Sequence, residues 1–186
     1  MFVKLEMPHY IFYVKKLLLC LIYFLFFIFN ISCNQGITPA TAEEEYQTAG
    51  FSGTLTFKGS WPKDVKWTLL VVFKEPLTSA SSFNIFNVGY ISNPIPNNIG
   101  TYSFSTAQDS GIIPITAGAF KYVAVAQSKK DTLTINRSDW TVVGIYYTNS
   151  DSTQPGKLTI PANTLVTGVN ITCDFNKPPV QPPGGN

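Results

Sequence analysis

FSGTLTFK, residues 51–58, opens the part of the chain whose reading decides the fold. Phe51, Gly53, Leu55 and Phe57 fall on one parity, while Ser52, Thr54, Thr56 and Lys58 fall on the other. Successive side chains of a strand point to opposite faces, so this alternation predicts a half-buried strand. The same period recurs downstream. Trp67, Leu69, Val71 and Phe73 alternate with Lys66, Thr68, Leu70 and Val72, apolar on both faces in the middle, as in a central strand. Residues 100–106 place Tyr102 and Phe104 on one face. Residues 117–127 set Phe120, Tyr122, Ala124 and Ala126 against Lys121, Val123, Val125 and Gln127. Residues 140–147 put Trp140, Val142, Gly144 and Tyr146 on one parity, and residues 165–175 close the pattern with Val169, Ile171, Cys173 and Phe175. Short strands are expected at 87–91 and 157–160. Turns stand between them at Gly59-Ser60-Trp61-Pro62, Asp109-Ser110-Gly111 and Pro161-Ala162-Asn163.

No stretch after residue 50 keeps a helical period over three turns. Seven to eight short strands with regular turns predict an all-β fold, a single antiparallel β-sandwich over residues 51–176. Residues 177–186 (KPPVQPPGGN) read as a Pro/Gly tail with nothing to bury. Residues 33–50 are polar, carry Glu43, Glu44 and Glu45, and read as a tether.

Upstream, Lys15 and Lys16 precede an unbroken apolar run over residues 17–29. These 13 residues suit the h-region of an export signal and fall short of the roughly 20 a spanning helix needs. Ile31-Ser32-Cys33 resembles the end of a bacterial lipobox, with Asn30 where that pattern holds an aliphatic residue. The resemblance implies removal of residues 1–32 as a signal peptide and lipid attachment (palmitate among the acyl groups) at Cys33. A second reading keeps residues 17–32 as a short anchor helix, and a third has a general signal peptidase cut nearby and the domain secreted, with Cys33 incidental. Both anchored readings place the domain outside the cytoplasm, since the lysines favour the inner side. A bacterial cell envelope location follows, with the outer membrane favoured.

Removing residues 1–32 takes away His9, the only histidine. What remains holds nine lysines and Arg137 against ten carboxylates, so the mature chain is neutral. That balance argues against nucleic-acid binding, which needs a basic surface. Without histidine, Ser-His-Asp and Cys-His mechanisms and histidine-ligated metals have no basis. Cys173 has no partner besides Cys33, and reads as a small buried hydrophobe. No enzyme activity, cofactor or metal is expected; Asn149 and Asp151 lie in a polar loop without EF-hand spacing.

FSGTLTF, AGAFKYVAVAQ and GKLTIPANTLVTGVNITCDF, in that order, resemble the transthyretin-like, carboxypeptidase-regulatory-like sandwich domains of exported bacterial proteins. The likeness covers residues 51–175 and implies a non-catalytic accessory or adhesion-type module. Two functions are left open. One is a structural or interaction lipoprotein, held to a membrane by its lipid anchor and partnered by envelope proteins. The other is a module for glycans or small ligands, in which Trp61, Tyr90 and Tyr147 with the insertion at 77–100 form the binding face, since exposed aromatics stack on sugars. Clustering of those aromatics on one exposed patch separates the two.

Overall fold

The computed structural model describes residues 13–19, 21, 48–148 and 153–185. Residues 13–19 and 21 are helical. Among the described residues no helix is long and apolar enough to cross a membrane. The chain divides into two units, Met1–Glu45 and Tyr46–Asn186, and the β-structure lies in the second. Cys33, most of the expected signal and tether, and the Asn149–Asp151 loop lie outside the described residues.

The strands are β1 (Gly50–Lys58), β2 (Trp67–Phe73), β3 (Val88–Ile91), β4 (Thr101–Ser105), β5 (Gly118–Phe120), β6 (Tyr122–Ser128), β7 (Trp140–Ile145), β8 (Leu158–Ile160), β9 (Leu165–Val166) and β10 (Ile171–Asp174). The main sheet runs β3-β2-β6-β7-β10-β1-β4, with β9 also on β1; β5 and β8 form a separate pair. The sheet is mixed, which corrects the expectation of an antiparallel one. β1 pairs antiparallel with β4 but parallel with β9 and β10. Alternation is identical in parallel and antiparallel strands, so the pattern could not reveal that the first and last strands run side by side.

Two apolar clusters lie on opposite faces of β2, β6 and β7. The inner one gathers Phe51 and Leu55 of β1, Leu70 and Val72 of β2, Val123 and Val125 of β6, Ile160 of β8 and Ile171 and Cys173 of β10. The sheet therefore curls so that strands distant in its order share one interior. Gly53 is needed here: a Cβ on it would stand 2.1 Å from the Val169 carbonyl oxygen, where the closing segment crosses β1. The outer cluster is built from Leu69, Val71 and Phe73, from Tyr122, Ala124 and Ala126, and from Trp140, Val142 and Ile145.

Three expected continuous strands are broken, and each break has a local cause. Residues 117–127 bend at exposed Lys121, whose N–H donates to the Phe73 carbonyl (3.0 Å). Phe120 consequently joins the inner cluster and Tyr122 the outer, although both share a parity. In β7, Ala126 pairs with Val142 and Val125 with Gly144, leaving Val143 as the extra residue of a β-bulge. Trp140 and Tyr146 therefore face opposite clusters rather than one. Along β1, Phe51 pairs with Val166 and Leu55 with Ile171, four positions against five, and the slack is taken up at Gly168 (φ 79°).

The expectation that the tail buries nothing is also corrected. Gln181 accepts from the Val142 N–H (2.9 Å) and donates to the Val142 carbonyl (2.8 Å), and Pro182 is buried.

Candidate functional site

The outer cluster does not close over itself. Across its floor Leu69 faces Ala126, Val71 faces Ala124 and Ala126 faces Val142. Two alanines in the central strand leave room that larger side chains would fill, and a cleft of about 270 Å³ opens above them. Its volume lies near the lower end of small-molecule pockets, which run from about 300 Å³.

Two loops and one short segment wall the cleft. The first loop carries Leu77, Phe83 and Ile85, the second Leu133, Thr134 and Ile135, and Ile112 and Ile113 complete the rim. Each loop is held by polar groups, and Ile85 of the first and Leu133 and Ile135 of the second are left exposed. Asn87 accepts from the Glu75 N–H (2.8 Å) and donates to the Ser82 carbonyl (2.8 Å), while Asn84 accepts from the Phe86 N–H (3.0 Å). Across the cleft, Asp139 accepts from the Thr134 hydroxyl (2.8 Å), and Trp140 Nε1 donates to the Thr134 carbonyl (3.0 Å). The Thr134 hydrogen bond, with nearby Lys130, holds the Asp139 carboxyl below the usual carboxylate range. Apolar side chains are thus displayed on ordered backbone. Phe86 is 86% exposed and Ile135 69%, a concentration of exposed hydrophobics that marks interaction sites.

At one end the lining turns polar. Arg137 is 6% exposed; Nη1 donates to the Trp140 carbonyl and Nη2 to the Pro182 carbonyl (3.0 Å). Its guanidinium carbon stands 5.9 Å from the centre of the Phe83 ring. Burial lowers its pKa from the ordinary value and raises that of neighbouring Tyr122. Among the described residues, Arg137 Nε and the Tyr122 hydroxyl have no hydrogen-bond partner.

The aromatics named from sequence are not brought together. Tyr90 is 2% exposed, edge-on to Phe51 at 5.5 Å, so it is an interior residue. Trp61 is half-buried against Phe57 (4.7 Å) and Phe175 (5.0 Å), its Nε1 donating to the Ile99 carbonyl (3.0 Å). Tyr147 is half-buried against the other cluster. Indole and phenol bodies fill the gaps at the sheet's edges, which leaves no shared aromatic face. Of the 77–100 insertion, named from sequence as a whole, Leu77, Phe83 and Ile85 line the cleft; the lining residues sequence reasoning missed are Leu133, Ile135 and Arg137. Their signal was present as apolar side chains inside loops and as the sole arginine after residue 32. Among the described residues no three His, Cys, Asp or Glu side chains converge to hold a metal.

No protein-family model, curated protein or solved structure matches this chain.

Proposed function

We propose that this chain is a non-catalytic binding module of a bacterial cell envelope, tethered to a membrane through a lipid on Cys33, with the outer-face cleft as its binding surface. The observation that carries the reading is the cleft: an apolar floor of β2, β6 and β7 under exposed Ile85, Leu133 and Ile135. Such a surface offers hydrophobic contact and few groups for acid–base chemistry. The membrane attachment rests on the lysine pair, the apolar run and Ile31-Ser32-Cys33. The same reading takes the curled sheet with the β5–β8 pair as a two-layer sandwich of the transthyretin-like kind, supported by the shared inner cluster.

The test is the intact mass of the full chain extracted from membranes, beside a Cys33→Ala variant. The expected product begins at Cys33 with added acyl mass, and the variant lacks both. A full-length mass without acyl groups would overturn the lipid anchor and leave residues 17–32 in the mature protein.

A further inference from the structure

The polar end of the cleft says what kind of molecule the apolar part receives. A guanidinium stays protonated throughout the physiological range, so Arg137 carries its charge into a nearly dry site. Both of its bonded nitrogens reach neutral backbone carbonyls. The ion pairs among the described residues are lysine pairs, Lys66–Asp131, Lys121–Glu75 and Lys130–Asp139, and none neutralises Arg137. A buried charge without a counter-charge is costly, and so is each buried donor left unbonded. Here Nε of Arg137 and the hydroxyl of Tyr122, 5% exposed, are both unpartnered at the same cleft. One anionic acceptor would answer both deficits. Apart from Asn84 and Thr134 the rest of the lining is aliphatic and aromatic, which suits a hydrocarbon chain and leaves most of a sugar's hydroxyls unsatisfied. A cleft of about 270 Å³ suits one chain of moderate length.

Resting on the binding-module reading above, we propose that the cleft is a site for a single-chain aliphatic carboxylate. The chain lies over Ala124 and Ala126, and the carboxylate accepts hydrogen bonds from Arg137 and Tyr122.

The experiment uses the full chain in lipid nanodiscs, titrated with terminally brominated undecanoate, with protein-free nanodiscs measuring the partitioned fraction. Trp140 lines the cleft and Trp67 packs on the same cluster, so bromine entering it quenches their fluorescence. Saturable quenching by the carboxylate is expected, with the matching brominated alcohol weaker by about 10-fold, the worth of a charge-assisted hydrogen bond. Tyr122→Phe deletes a hydroxyl that no described residue bonds, so the fold is retained. It should weaken the carboxylate several-fold and leave the alcohol unchanged, while Ala126→Leu should abolish quenching by both. Equal binding of acid and alcohol, unchanged by Tyr122→Phe, overturns the head-group assignment and leaves the cleft standing. Absence of saturable quenching by either probe overturns the cleft as a binding site as well. If the wild-type chain self-associates and Ala126→Leu makes it monomeric, the occupant is a second copy and the carboxylate proposal fails.

Discussion

At Cys173 the thiol is fully buried in the inner cluster, opposite Gly144 across the β10–β7 pairing. Nothing there stabilises a thiolate, and burial pushes the pKa from 9.0 up to about 12. Since the folded value is the higher one, the contribution to stability is complete below pH 9 and is lost as pH rises toward 12. Tyr90 and Tyr122, raised by burial, act in the same direction. Two outcomes follow. The peptide containing Cys173 should resist alkylation in the native chain and react once urea unfolds it, as read by mass spectrometry. The urea midpoint should fall above pH 9, and less steeply in Cys173→Ala. Rapid alkylation of the native chain would show that the inner cluster opens near β10.

At the scale of the element, β7 shows how an edge is completed by something other than a strand. Its registered partner in β10 is reached only at Gly144. At Val142 the edge is filled by the Gln181 side chain, whose amide supplies one acceptor and one donor as a neighbouring strand would. Gln181→Ala should therefore cost about 1–2 kcal/mol, the net worth of two hydrogen bonds, seen as a lower urea midpoint. It should also speed hydrogen exchange at the Val142 amide, and unchanged protection there would mean that the tail is not what holds the edge. The sequence displayed β1, β2 and the core of β6 clearly, because long alternating runs leave one reading. It did not display the Lys121 bend, since an exposed lysine there fits plain period-two alternation, or the Val143 bulge, which turns on one residue inside an unbroken apolar run. The docking of Gln181 was hidden too, because proline-rich composition reports low burial and says nothing of one well-placed amide. Of the cleft, only its left-over apolar loop residues were visible; its depth depends on Ala124 and Ala126 meeting Val71 and Leu69 across strands.

Over the whole β domain, the two clusters are separate in space yet share their framework. Leu69 faces the outer cluster and Leu70, its neighbour in β2, faces the inner one. Val125 and Ala126 divide in the same way in β6. A cluster cannot dissolve without releasing strands that form the floor of the other, so the domain should unfold as one unit. Trp61 reports on the inner cluster and Trp140 on the outer. Leu70→Ala leaves a closed cavity and should cost about 2–5 kcal/mol; Leu69→Ala adjoins the open cleft and should cost less within that range. Both should lower one shared transition, with circular dichroism and tryptophan fluorescence coinciding along the urea curve. A separate early transition in Leu69→Ala, seen by fluorescence with the sheet signal intact, would show that the outer face melts by itself. The cleft would then be a mobile surface rather than a formed site.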